Sequence, residues 1–222
     1  MNKLLYRNRY EIFLISQSLI LFSSLLISID LYEKTFLPIL FLLNISAGIN
    51  LLSEKKILMW VFIAYFIISV IIFGTSLFLR QGDGNILLRL SVYFVFHITV
   101  TWEIIRQVFN AEIVNKNVII GLMSGYISLG FLAFFLFMAI ELTHPGAFQG
   151  TLIENDNPIV GAEGLMYYAF ITLLTIGYGD IVPAIPLAQK AAILVGLTGQ
   201  FYMAIITAVV IEKYIRHSAK NQ

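Results

Sequence analysis

Six apolar runs, each close to the length a helix needs to cross a bilayer, constrain this chain more than any other feature. A hydrocarbon core about 30 Å thick takes roughly 20 residues of helix. The runs cover residues 12–29, 36–52, 58–79, 86–108, 118–140 and 186–211. The second is the most diluted, by Pro38, Asn44, Ser46 and Asn50. A seventh run, 164–174, is too short to cross and leads into a glycine-rich stretch, the pattern of a segment that enters and leaves on one side. Composition agrees. Hydrophobic residues make up 59% of the 222 positions and charged residues 12%, half of the share, about 25%, usual in soluble domains. Mean hydropathy is +0.87. The expected fold is an all-α membrane protein: six transmembrane helices, with a re-entrant helix and loop between the fifth and sixth. Residues 1–112 would form a four-span region and 113–222 the remaining unit.

Several function classes fall away on composition. A net charge of +1 offers no electrostatic footprint for nucleic acid. Without cysteine there is no disulfide, thiolate metal site or thiol nucleophile. His97, His144 and His217 lie too far apart to show metal-ligand spacing. Lys3, Arg7 and Arg9 precede the first run as they would in a signal peptide, but that run is long and residues 28–31 offer no small-residue cleavage site, so it reads as a retained span. With the N-terminus inside, Lys34, Arg80, Arg89 and Lys190 fall outside and the other ten of the 14 basic residues inside, as the positive-inside bias requires. Six crossings return the C-terminus to the cytoplasmic side of a cell membrane, and the short run enters from outside. Acidic residues collect in the outer loops, where they are either solvated loop positions or a means of concentrating cations. No internal repeat is visible.

The short run ends in Thr175-Ile176-Gly177-Tyr178-Gly179-Asp180. A dehydrated cation needs oxygens at close quarters in place of water. Backbone carbonyls form such a ladder when alternate residues take left-handed dihedrals, which glycine does without steric cost. Gly177 and Gly179 meet that need, and the Thr175 hydroxyl adds an oxygen at the cytoplasmic end. Ile176 and Tyr178 would turn outward and pack the loop against surrounding helices. Glu163 near the start of the short run suits a helix N-terminus, and the negative C-terminal end would face the centre.

Here the sequence resembles the potassium-channel family, whose Thr-Val-Gly-Tyr-Gly loops form a selectivity filter from carbonyl oxygens. The resemblance covers roughly residues 117–214 and implies outer helix, pore helix, filter and inner helix. It implies potassium bound at Thr175, Ile176, Gly177 and Tyr178, with Gly179 completing the filter. The last span, through Gly196-Leu197-Thr198-Gly199-Gln200-Phe201-Tyr202, is similar to that of bacterial two-helix members. Gly199 falls at the family's hinge position; close helix packing is the other reading. Gly121 and Gly125 read as packing glycines. Below Gly199, the face through Met203, Thr207 and Val210 would line the inner mouth. The chain also departs from the pattern. Ile171 stands where some members have a glutamate paired with the filter aspartate, Leu174 where many have a second threonine, and Val182 where some have an aromatic ring. With Ile171 apolar, Asp180 needs another partner, and Tyr167, four residues earlier on the same face, is the candidate. Tyr168 would pack against the filter wall.

The fourth run carries Arg89 and Arg106 alone, at opposite ends, not the arginine series of a voltage sensor. His97 and Glu103 lie within or near it, either as sensing groups or as interhelical polar contacts. One filter segment cannot surround an ion, so a homotetramer in membrane lipid is expected, conducting passively without cofactor. The rival readings are a non-selective cation channel or a non-conducting regulatory subunit. A membrane enzyme or coupled transporter is more distant, for want of a nucleophile with its base or of repeated halves.

Overall fold

The computed structural model describes residues 8–28, 31–51, 56–78, 83–111, 115–150 and 161–220. It is mostly helical. Helix α1 (Arg9–Phe22) tightens into a 3-10 turn at Ser23–Leu25. A π-helical turn at Tyr32–Phe36 leads into α2 (Leu37–Leu51), followed by α3 (Lys56–Phe78) and α4 (Asp83–Asn110). Then come α5 (Lys116–Thr143), α6 (Gly161–Leu173) and α7 (Pro186–Lys220). Two short strands, β1 (Phe148–Gly150) and β2 (Ile181–Pro183), pair antiparallel, with Phe148 opposite Pro183 and Gly150 opposite Ile181.

The helices differ from the apolar runs at their ends. The first run predicts a helix to residue 29, but α1 has 14 residues, about 21 Å of rise. Ser23 and Ser24 sit where it tightens, and serine is a weaker helix former than the leucines before it. The short run predicts a helix from 164, and α6 starts three residues earlier, with Glu163 in its first turn. The expected division at 112/113 and the run ends at 29, 52 and 79 lie outside the described residues. Among the described residues, α5 and α7 as far as Lys213 are long and apolar enough to cross a bilayer; Leu37–Ile49 and Met59–Ile71 are shorter apolar stretches.

Helix α5 is the hub. It packs against α1, α4, α6 and α7. Asn115 caps its start, accepting from the Val118 amide at 3.1 Å. Its glycines face large rings: Gly121 lies under Tyr10, Gly125 under the Tyr202 hydroxyl, and Gly130 under Phe170. Small residues at such positions let aromatic side chains nest against the backbone. A polar seam also crosses the apolar packing. Gln17 donates to Ser128 Oγ at 2.6 Å and to the Ser124 carbonyl at 3.2 Å, and Asn44 donates to Ser16 Oγ at 2.9 Å. In an apolar surround these bonds tie α1 and α2 to specific positions on their neighbours.

Candidate ion filter

The loop after α6 is held by the helix it leaves. Leu174 N donates to the Phe170 carbonyl at 2.9 Å and Thr175 N to the Thr172 carbonyl at 3.0 Å. The Ile171 carbonyl then accepts from both Ile176 N (2.8 Å) and Gly177 N (3.3 Å). Beyond this point the backbone alternates: φ is 58° at Thr175, 57° at Gly177 and 82° at Gly179. A Cβ added at Gly177 or Gly179 would meet nothing within 4 Å. Glycine is there for its dihedral, not for space.

Asp180 ends the loop. The Tyr167 hydroxyl donates to its Oδ2 at 2.7 Å, and the Ile181 amide to its Oδ1 at 3.1 Å. Tyr168, beside Tyr167, turns toward other rings of its own chain. Its ring lies against Phe137 (5.1 Å between centroids) and Phe148 (5.3 Å), because that face of α6 looks toward α5 and β1.

The β1–β2 ribbon closes the Asp180 end of the loop. Gly150, at φ 152°, passes so near the loop that a Cβ there would sit 2.2 Å from the Asp180 carbonyl oxygen. Glu141 at the end of α5 accepts from Gly146 N (2.7 Å) and Phe148 N (3.0 Å), fixing the approach to β1. Sequence reasoning missed these residues. A three-residue ribbon has no periodicity to read, and a lone glycine gives the only hint.

At the Thr175 end of the loop, α7 runs unbroken through Gly199, where an added Cβ would lie 2.1 Å from the Leu173 carbonyl oxygen. Close packing is what Gly199 does in this conformation. Tyr126 donates to that same carbonyl at 3.2 Å, and Tyr202 donates to the Leu122 carbonyl at 2.7 Å. Gln200 Nε2 reaches Thr175 Oγ1 at 3.3 Å.

Residues 147–216 match the sequence profile of a family described as "Ion channel". Over 76 residues the chain is 33% identical to a two pore potassium channel c of Oryza sativa subsp. japonica, covering 34% of this chain and 17% of that protein. Over 68 residues it is 40% identical to a voltage-gated potassium channel of Aeropyrum pernix, covering 29% and 23%. The potassium voltage-gated channel protein Shal of Drosophila melanogaster is 29% identical over 94 residues, covering 42% and 16%. Over this segment the chain is similar to ion channels, several of them potassium channels by name. With the two long apolar helices, this likeness points to a membrane protein. The matches span less than a quarter of the length of these relatives. No solved structure matches.

Other expected site residues are placed as follows. Ile176 and Tyr178 are 48% and 73% exposed, so within one chain they have no helices to pack against. Ile171 is buried and holds the loop through its main chain, not its side chain. Met203 and Thr207 are exposed on α7, whereas Val210 packs partly against the core. The cause lies just below: Lys213 donates to the carbonyls of Val108 (3.1 Å), Phe109 (2.7 Å) and Ala111 (2.6 Å), drawing this end of α7 onto the end of α4. His97 makes no interhelical polar contact. Its Nδ1 bonds the Tyr93 carbonyl of its own helix at 2.9 Å, Nε2 has no hydrogen-bond partner, and the rings of Phe41, Phe96, Phe131 and Phe135 surround it. Glu103 is buried beside Arg106 at 3.7 Å and accepts from Gln107 at 3.2 Å, both on its own helix.

Proposed function

We propose that the chain is one subunit of a passive, potassium-selective channel, four copies surrounding one axis, with Thr175, Ile176, Gly177, Tyr178 and Gly179 as the filter. The observation that carries this is the alternation of left-handed dihedrals at 175, 177 and 179, the conformation a ladder of carbonyls requires. Residues 113–222 act as the pore unit and 1–112 as a four-span region around it. There are six crossings in all, both termini are cytoplasmic, and α6 is a re-entrant pore helix. The bare filter side chains support the tetramer: Ile176 and Tyr178 are apolar or amphipathic surfaces that a neighbouring copy would cover. Met203 and Thr207 face the inner pore below them, with Asp180 and Tyr167 bracing the outer end.

Two of the relatives are named voltage-gated. Helix α4 carries Arg89 and Arg106 only. Each gating charge contributes about 2.3 kcal/mol per 100 mV, so steep voltage dependence needs more charges than α4 holds. Gating here answers to another stimulus.

Planar-bilayer recording of the purified protein, with potassium and sodium on opposite sides, tests the reading. Reversal potentials that follow the potassium gradient support it. Equal permeability to both ions favours a non-selective channel, and an absence of current favours a regulatory subunit. Tyr178→Asp should abolish discrimination while leaving assembly intact. A conductance–voltage curve as steep as that of an arginine sensor would refute the account of gating.

A further inference from the structure

Thr175 is the one non-glycine residue with positive φ among the described residues. That conformation is unfavourable for a β-branched side chain, so something must hold it and choose among its rotamers. The main chain supplies part of the hold, through the bond from Thr175 N to the Thr172 carbonyl. The hydroxyl is engaged by Gln200, whose Nε2 donates to Oγ1 at 3.3 Å from α7.

Two further observations make this contact more than a surface accident. Gln200 stands on the face of α7 that carries Met203 and Thr207, three and seven residues further on, the face that the filter reading turns toward the pore. Its neighbour Gly199 sets the reach. Because Gly199 lies directly against the Leu173 carbonyl, the Gln200 backbone stands at a distance from the loop fixed by backbone-to-backbone contact.

We infer that Gln200 is a positioning residue for the innermost cation site, acting through the Thr175 hydroxyl. A hydroxyl has two acceptor lone pairs and one proton. When the amide N–H occupies one lone pair, the proton is turned aside and the second lone pair is left for a cation entering from the cytoplasmic side. Without the amide, the hydroxyl can rotate until its proton faces the ion. The inference rests on the filter reading above. It adds a residue outside the six-residue run that tunes ion binding at the filter base.

Internal barium is the probe, a divalent cation close to potassium in size. In the full-length tetramer, Gln200→Met removes the donor and keeps the side-chain length. It should weaken cytoplasmic barium block about tenfold and leave reversal potentials in potassium and sodium gradients unchanged. In a Thr175→Ala background, where there is no hydroxyl to orient, Gln200→Met should add nothing. A purely structural role would add its effect there too. Should Gln200→Met not assemble, Gln200→Asn, which keeps the amide but shortens its reach, is expected to weaken the block in the same way. Unchanged barium block, or an equal loss in the Thr175→Ala background, overturns the inference. If wild type discriminates potassium from sodium while Gln200→Met blocks like wild type, this inference fails alone. A wild type that does not discriminate overturns the filter reading and this inference with it.

Discussion

The two longest apolar helices, α5 and α7, are alike in apolar character and opposite in surroundings. Over its most apolar window α5 is 61% buried within the chain, and α7 is 22% buried. Helix α5 is wrapped by α1, α4, α6 and α7, and its glycines accept aromatic rings. Helix α7 touches α5 and α6 along one side and exposes Leu194, Leu197, Phe201, Met203 and Ile205 elsewhere. The lesson is that α5 is completed by its own chain, whereas α7 is not. In the proposed assembly α7 is completed by copies of itself, by lipid and by the pore. Hydropathy alone does not separate the two cases, because a buried helix and a lipid-facing helix are both apolar.

Two of the contacts that α7 makes with its own chain, at Gly199 and Lys213, should be the most sensitive to change. At Gly199 a side chain would strike backbone, not a movable side chain. Gly199→Ala should destabilise the assembled protein by about 3 kcal/mol, at the severe end for overpacking. Thermal unfolding in detergent measures this. A variant as stable as wild type, with a shifted open–closed balance, would make Gly199 a hinge and not a packing residue.

Lys213 comes next. Its ammonium meets three carbonyls at the end of α4, where a helix dipole favours a cation. Lys213→Met should cost about 1 kcal/mol and loosen the coupling of α4 to α7. A lowered Tm with altered open probability is the expected pair of results. No change in either would mean that α7 is held by α5 and α6 alone.

Tyr167→Phe acts on the loop, not on the helices. Removing the donor to Asp180 should reduce conductance or hasten loss of current during sustained opening, with little effect on unfolding. Single-channel recording at neutral pH decides this, and wild-type behaviour would show that the β1–β2 ribbon suffices to brace Asp180. The smallest effect expected is pharmacological. Val182 is exposed near the outer end but offers no ring to a quaternary ammonium, so external tetraethylammonium should block weakly and Val182→Tyr should tighten the block.

By itself the sequence determined that the chain is helical and membrane-embedded, and it marked residues 175–180 as the place to look. The physical reasons are local. Bilayer thickness sets the run length, and left-handed dihedrals select glycine. Asp180 and Tyr167 could likewise be paired on the page, since helix spacing puts Tyr167 on the face that leads to the loop. Only the tertiary structure decided what depends on distance between separate elements. It turned Tyr168 toward Phe137, and it made the Ile171 carbonyl, invisible in any side-chain pattern, the anchor of the loop. It set Gly199 against a carbonyl, drew Val210 inward through Lys213, and enclosed His97 in aromatic rings. Each of these follows from which neighbour a helix face meets, and a one-dimensional pattern of apolar residues names the face without naming the neighbour.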